Sequence, residues 1–394
     1  MKRSVRQTIV QLFQIIATLG LTIYSARILG PEGRGYATTI LATLQLLTWL
    51  STLGIGRGLS KFGTNGTGLS PKKIQWTLLV YAIVAVSFVW LIFYFYPGSK
   101  IFSGMHATFF FVLVIFLLND FVKNGLMGNG YYKEYGRTCN IETLAYVISG
   151  FLLFKAGYGA VSLIYGAAIA SFISLLFGWR KIVVNELSKS TNGDQISLVT
   201  VVRFCLKTHV VDIPRMFLMQ APQLYIARFI GLGEAGLYNV STAIANVCLT
   251  FIKPVAAILL SEKKRDENVA RQSLHAVVIL CIPLFLSYAF VKLFGNDLFT
   301  AIFGSKFGMG MKYLDLALFI GFFSTLSQIY FSAAMAISRP EIGAISAVSA
   351  LLVGIGIHLL SQNTSHFGGN SLLVGLISID FILLAVIYHA KKRV

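Results

Sequence analysis

Apolar residues along this chain come in runs of roughly twenty, separated by short polar segments, and the alternation continues from one end to the other. A helix rising about 1.5 Å per residue needs about twenty apolar residues to cross about 30 Å of hydrocarbon. Each run therefore predicts a membrane-spanning helix, and twelve can be drawn. They are Thr8–Ile28, Tyr36–Ile55, Ile74–Tyr96, Ala107–Met127, Thr138–Phe154, Val161–Trp179, Thr208–Ile226, Leu237–Leu260, Ser273–Phe294, Tyr313–Ile337, Ile342–Leu360 and Ser371–His389. The polar stretch Arg180–Gln195, which contains KSTNGDQ, falls between the sixth and seventh runs and reads as a midpoint linker. The strict alternation in segments of about ten that marks an outer-membrane barrel does not occur.

The runs are not independent of one another. Residues 26–37, ARILGPEGRGYA, return as residues 227–238, ARFIGLGEAGLY. Without a gap, Ala26, Arg27, Gly30 and Gly35 fall on Ala227, Arg228, Gly231 and Gly236, a step of 201 residues in a chain of 394. Each copy follows one apolar run and opens the next. Two tandem halves are predicted, residues 1–190 and 191–394, each contributing six spans. With six spans apiece, both halves enter the membrane in the same orientation, so the repeat is parallel and related by a pseudo-two-fold along the membrane normal. The expected architecture is all-α and polytopic, with about twelve helices in two six-helix bundles that face a shared cleft. The motif copies are then turns joining spans 1–2 and 7–8, where glycine permits a tight reversal.

Composition narrows the class without changing it. Residues of hydrophobic type make up 56% of the chain and charged residues only 12%. Soluble domains carry about 25% charged residues, so there is too little polar surface here for two or three soluble domains. The net charge of +18 would suit a nucleic-acid binder, but the cations sit between the apolar runs, and no nucleic-acid partner is expected. With the N-terminus in the cytoplasm, twenty Lys and Arg residues fall on inner segments. Eight fall on outer ones: Arg27, Arg34, Lys100, Lys155, Arg228, Lys292, Lys306 and Lys312. That bias predicts both termini inside and an even number of spans. The first run follows MKRSVRQ but ends within the repeated motif, so it reads as a retained span and not as a cleaved signal. Cys139, Cys205, Cys248 and Cys281 are scattered and form no metal-ligand spacing with histidine. No metal, cofactor, nucleophile–base pair or phosphate loop is indicated, and the chain is not expected to be an enzyme.

The motif ARILGPEGRGYA resembles the signature of the polysaccharide-biosynthesis exporters, the Wzx-type flippases for lipid-linked oligosaccharides. These belong to a superfamily with MATE drug exporters and the lipid II flippase. The second copy, ARFIGLGEAGLYNVSTAIANV, extends the likeness. So do residues 303–340, with a Phe-Gly loop, an apolar span and a closing Arg-Pro, and residues 118–137, LNDFVKNGLMGNGYYKEYGR. Four motifs in order cover essentially the whole chain. The resemblance implies a MATE-like fold and export of a polyprenyl-pyrophosphate-linked sugar from the inner to the outer leaflet of a bacterial cytoplasmic membrane. Membrane lipids and polysaccharide polymerase or assembly proteins are the implied partners. Span 1 lacks arginine before Arg27 and the chain stops after span 12, both of which depart from the lipid II flippase pattern.

Ionisable groups inside a span cost about 2.5–3.5 kcal/mol each on insertion scales and therefore need a partner or a wet cavity. Asp120 and Lys123 lie in span 4, Asp212 and Arg215 in span 7, Lys253 in span 8 and Asp380 in span 12. The first two pairs are spaced i,i+3 and share a helix face. Stepping back 201 residues places Asp212 on Gln11 and Arg215 on Gln14, so spans 1 and 7 both offer a polar stripe. For a pyrophosphate substrate, Arg215 and Lys253 are the expected anion-binding residues of the cleft, since Arg grips phosphate bidentately. Lys123 is a third member, Arg57 stands at the inner entrance, and Gln11 and Gln14 line the polar wall. Asp380, with Asp120 and Asp212, is the candidate for ion coupling. Both Asp/Lys and Asp/Arg pairs also fit plain internal ion pairs, and Lys253 also fits snorkelling. Two other functional classes compete: a MATE-type drug or cation antiporter, whose cleft would favour acids, and a membrane-embedded polymerase or ligase, which would carry a long outer loop.

Overall fold

In a computed structural model the described residues are 2–52, 106–128, 131–187, 222–250 and 299–315, together with scattered positions in 54–91, 200–220, 289–297 and 317–318. Among them every regular element is helical. We number the long helices α1 (Lys2–Ser51), α2 (His106–Gly128), α3 (Tyr132–Lys155), α4 (Val161–Leu187) and α5 (Leu232–Thr250). Three apolar stretches, Phe13–Ser51, Thr108–Leu126 and Val161–Lys181, are long enough to cross a membrane.

The first of these has 39 residues, which as a straight rod would reach about 58 Å, nearly twice the hydrocarbon. It is bent instead. Gly30 sits at φ 66°, ψ −178°, a region essentially reserved for glycine. Pro31 follows as the first residue of the next helical segment, where its missing N–H is no loss. Spans 1 and 2 are thus one helix broken at the motif, with no intervening loop. Span 2 starts at Pro31 where the sequence pattern places Tyr36. Other boundaries move outward in the same way. α3 begins at Tyr132 against a predicted Thr138, and α4 runs on through Leu187, into the predicted linker. Polar residues at a span's end continue the backbone hydrogen bonding of the helix beyond the apolar stretch, so hydropathy underestimates helix length.

The chain divides into two compact units, residues 39–213 and residues 1–38 with 214–394. In the first, α2, α3 and α4 pack on one another. The α3–α4 connection reverses at Gly157 and Gly159, at φ 84° and 58°. Small residues bring the pair together: Ser149 Oγ donates to the Gly166 carbonyl at 3.2 Å, and a β-carbon on Gly166 would lie 3.1 Å from the Gly150 backbone. Gly178 similarly admits Val122 of α2.

The second unit has an aromatic core. Phe299, Phe303, Phe307, Tyr238 and Tyr313 are buried together with Leu314, Ile226 and Ala26. Phe303 lies between Phe299 and Phe307, its ring tilted against both at centroid distances of 5.9 and 6.2 Å. Ser241 Oγ donates to the Gly310 carbonyl at 2.8 Å and ties α5 to the 3₁₀ turn Ser305–Gly310.

Candidate functional site

Among the described residues, two polar clusters interrupt these apolar elements. The first joins α2, α3 and α4. Glu142 of α3 receives Asn119 Nδ2 of α2 at 2.8 Å and Ser171 Oγ of α4 at 3.3 Å on one carboxylate oxygen. Its other oxygen is ion-paired with Lys123 of α2. One carboxylate thereby fastens three helices. Lys123 and Glu142 are mostly buried, with 20% and 23% of their side chains exposed. Asp120 lies one turn away and takes Asn124 Nδ2 at 2.9 Å. So Lys123 is ion-paired with the carboxylate across the helix interface, while Asp120 is held by a local amide.

The second cluster lies where the two motif copies meet. A β-carbon on Gly35 would overlap the Leu232 carbonyl and lie 2.8 Å from the Gly236 nitrogen. One on Gly236 would overlap the Pro31 carbonyl and lie 3.0 Å from the Gly35 nitrogen. Leu232 is Pro31 advanced by 201, so the contact is reciprocal, backbone against backbone. Both copies have a positive-φ glycine at the helix start, Gly30 and Gly231. In the second copy a π-helical turn, Ile226–Ile230, precedes that glycine.

Polar side chains surround the glycines. Arg34 is buried, with 6% exposure. Its guanidinium donates to Ser25 Oγ at 2.6 Å, Thr22 Oγ1 at 3.3 Å and, in the other copy, Asn239 Oδ1 at 3.1 Å. Gln223 Nε2 donates to the Ala235 carbonyl at 3.3 Å and, across the contact, to Thr38 Oγ1 at 3.1 Å. Under the step of 201, positions 22, 34 and 239 exchange with 223, 235 and 38. The network is symmetric in position and asymmetric in chemistry, with a guanidinium on one side and an amide on the other. At its rim the exposed Arg27 donates to the carbonyls of Ala301 and Ile302, at 2.6 and 2.9 Å. These carbonyls end a helix, where cations are favoured. Lys312 bridges to Glu234 in the first turn of α5 at 2.8 Å.

Of the nine residues singled out from sequence, Asp120, Lys123 and Gln14 are described. Gln11 has a described helical backbone in α1. Arg57, Asp212, Arg215, Lys253 and Asp380 lie outside the described residues, as do spans 3, 11 and 12 apart from scattered positions of span 3. Asp120 and Lys123 belong to one cluster. Gln14 is part-exposed on α1, its carbonyl receiving Thr18 Oγ1 at 2.8 Å. Sequence reasoning missed two residues. Glu142 stands four residues into predicted span 5, and an acid inside an apolar run is itself the signal. Arg34 reads from the sequence as one of the eight cations of the outer segments. It is buried instead, because Gly35 beside it and Gly236 in the other copy let the two motifs close against each other.

With every described element helical, apolar helices of membrane length and a repeat that packs on its own copy, the chain is a multi-pass α-helical membrane protein. The sequence profile of the polysaccharide biosynthesis protein family matches residues 25–309, and the chain belongs to that family. Solved structures agree on the fold. The chain is similar to the lipid II flippase MurJ in an inward closed conformation, at 14% identity and a TM-score of 0.71, covering 99% of this chain and 88% of that one. It is also similar to a multidrug resistance MATE family transporter of the MOP superfamily in an inward-facing conformation, at 12% identity and a TM-score of 0.69, covering 96% and 94%. An outward-facing MATE transporter of the same superfamily matches at 14% identity and a TM-score of 0.64, covering 99% and 94%. No functionally curated protein matches the sequence significantly.

Proposed function

We propose that this protein is a flippase that carries a polyprenyl-pyrophosphate-linked oligosaccharide from the inner to the outer leaflet of the cytoplasmic membrane, for surface polysaccharide synthesis. The observation that carries the reading is the family match over residues 25–309 on a fold shared with a lipid II flippase. In this reading two six-helix bundles, residues 1–190 and 191–394, alternate access to a cleft, and both termini are cytoplasmic. The sugar and diphosphate cross through the cleft while the polyprenyl tail stays in lipid. Arg215 and Lys253 attract the diphosphate, with Lys123, Arg57, Gln11 and Gln14 as further contacts. Asp380, with Asp120 and Asp212, is the site of ion coupling. The protein moves its substrate without making or breaking bonds in it, so it is not an enzyme.

The test is transport of a fluorescent polyprenyl-diphosphate sugar in proteoliposomes, together with surface glycan in cells. Arg215→Ala and Lys253→Ala are expected to lower both by tenfold or more at unchanged protein level, since each removes a charge-assisted phosphate contact worth about 1.5–3 kcal/mol. Normal transport in both variants would remove these residues from the site. The MATE-type structural matches support a second reading, ion-coupled antiport of a drug or cation. Cation efflux without diphosphate-sugar transport would select it.

A further inference from the structure

Resting on the membrane orientation proposed above, we infer that the inner end of the α3–α4 pair is a binding site for an anionic phospholipid of the inner leaflet, its headgroup held by Arg137 and Arg180. Depth, charge and the exposed surface of the two helices carry this together.

The helices run antiparallel, because their connection reverses at Gly157 and Gly159. The start of α3 and the end of α4 therefore share one end of the pair. Arg137 stands twenty residues before Gly157, and Arg180 nineteen after Val161. At about 1.5 Å per residue, each is about 30 Å from the reversal, the thickness of the hydrocarbon. Both arginines thus stand at the headgroup level opposite the reversal.

That end is cationic and its cations are available. Lys133, Arg137 and Arg180 are exposed and Lys181 is half-buried, with Glu134 as the acid beside them. Among the described residues, no ion pair or hydrogen bond engages the side chains of Lys133, Arg137 or Arg180. The reversal, by contrast, has Lys155 as its cation, seated over the Phe151 ring at 4.9 Å.

Each arginine also ends an exposed apolar stripe. On α3, Arg137, Leu144, Ile148 and Phe151 follow at steps of seven, four and three; on α4, Ile169, Ile173, Leu176 and Arg180 follow at four, three and four. Such steps keep to one face of a helix. The six apolar side chains are all exposed, from 37% at Phe151 to 57% at Ile148. The stripes reach about 21 and 16 Å from their arginines, enough for one leaflet's share of the hydrocarbon, about 15 Å. A phosphate on the arginines therefore sets its acyl chains along them. Behind the site, Tyr131, Tyr135 and Trp179 pack against buried Val122 and Leu126 of α2, which fixes the helix ends that present the cations. A zwitterionic headgroup brings its own ammonium and gains little here. An anionic one gains about fivefold per cation, from about 1 kcal/mol each.

The experiment uses the full chain in phosphatidylcholine vesicles, with Trp49, Trp76, Trp90 and Trp179 replaced by Phe and one reporter, Ile173→Trp. That position is seven residues, about 10 Å, from Arg180, at the depth of a mid-chain bromine. Quenching by dibrominated phosphatidylglycerol is compared with quenching by dibrominated phosphatidylcholine. The anionic lipid is expected to bind beside the reporter at least about fivefold more tightly. Arg137→Gln with Arg180→Gln should bring the ratio to about one, each single change should fall between, and the two Arg→Lys changes should keep most of it. A second reporter, Phe111→Trp at an exposed position near the other end of α2, is the control; its ratio should not respond to the arginines. A ratio near one in the parent, or one that survives loss of both arginines, would overturn the site. Displacement of the brominated phosphatidylglycerol by equimolar polyprenyl diphosphate would give the site to substrate and overturn the phospholipid assignment. Lipid in both leaflets makes the comparison independent of orientation. If the preference is found but the parent moves no diphosphate-linked sugar, the transport reading falls and the lipid site stands; normal transport without the preference has the opposite meaning.

Discussion

Glu142 is where the structure makes its sharpest energetic statement. Its carboxylate is the shared acceptor for Lys123, Asn119 and Ser171, so removing it strips three groups at once. Breaking a buried ion pair by deleting one partner costs about 3–5 kcal/mol, mostly as the penalty of the charge left behind. With about a fifth of each side chain exposed, water reduces that cost below this range, to about 2–3 kcal/mol for Glu142→Gln, whose carbonyl still accepts from Asn119 and Ser171. Glu142→Ala forfeits those acceptors too and costs about 1–3 kcal/mol more. Lys123→Met leaves a carboxylate that still has two donors, so it costs less than Glu142→Gln. The pair Lys123→Met with Glu142→Gln removes both charges and recovers about 2 kcal/mol relative to the sum of the single changes, a coupling that a double-mutant cycle reads directly. The assay is thermal unfolding of purified protein in detergent by intrinsic fluorescence. At about 2–4 °C per kcal/mol for a domain of 150–250 residues, Glu142→Gln lowers the midpoint by about 5 °C, and the double variant falls by about 4–8 °C less than the sum of the two single changes. If the double variant falls by the sum of the single changes, the two charges do not support one another and the cluster is not a structural clasp. If Lys123→Met keeps its midpoint yet loses transport, Lys123 acts on substrate.

Two further outcomes are accessible. Gly166→Ala puts a β-carbon 3.1 Å from the Gly150 backbone, which cannot rotate aside as a side chain does. Overpacking of this kind costs about 1–3 kcal/mol, so the thermal midpoint should fall by several degrees, and an unchanged midpoint would mean that α3 and α4 slide apart freely. If Asp380 couples transport to an ion, Asp380→Asn abolishes the dependence of transport on proton or sodium gradients while leaving binding of the diphosphate sugar. Transport that responds to every gradient as the parent does would exclude it.

The positions of the described helices are legible in the sequence because the bilayer imposes them: a long apolar run has few structural options. Helix ends were less legible, since Tyr132–Arg137 and Arg180–Leu187 are polar enough to read as loops yet continue their helices. The charged cluster was half legible. Asp120 and Lys123 were found by the rule that charges inside a span need a reason, but spacing along one helix suggested them as partners of each other. The stronger partner for Lys123 came from the adjacent helix, and periodicity holds no information about which neighbour that is.

The repeated motif shows most clearly where linear reading stops. The step of 201 is visible as letters, and glycine at positions 30, 35, 231 and 236 is compatible with turns. Only Gly30 and Gly231 serve that purpose, with positive φ at a helix break. Gly35 and Gly236 lie inside helices, and what they supply is absence of bulk, so that each copy's helix can rest on the other's carbonyl. A sequence does not distinguish a glycine kept for its torsion from one kept for its missing side chain. The distinction also decides Arg34. Beside a turn it would be one more outer cation, but beside a glycine-to-carbonyl contact it is sealed in and must take neutral oxygens from both copies. The repeat is therefore more than an evolutionary ruler: its two copies are the two faces of one contact, and the residues that differ between them, Arg34 against Ala235 and Thr22 against Gln223, set how firmly that contact is held.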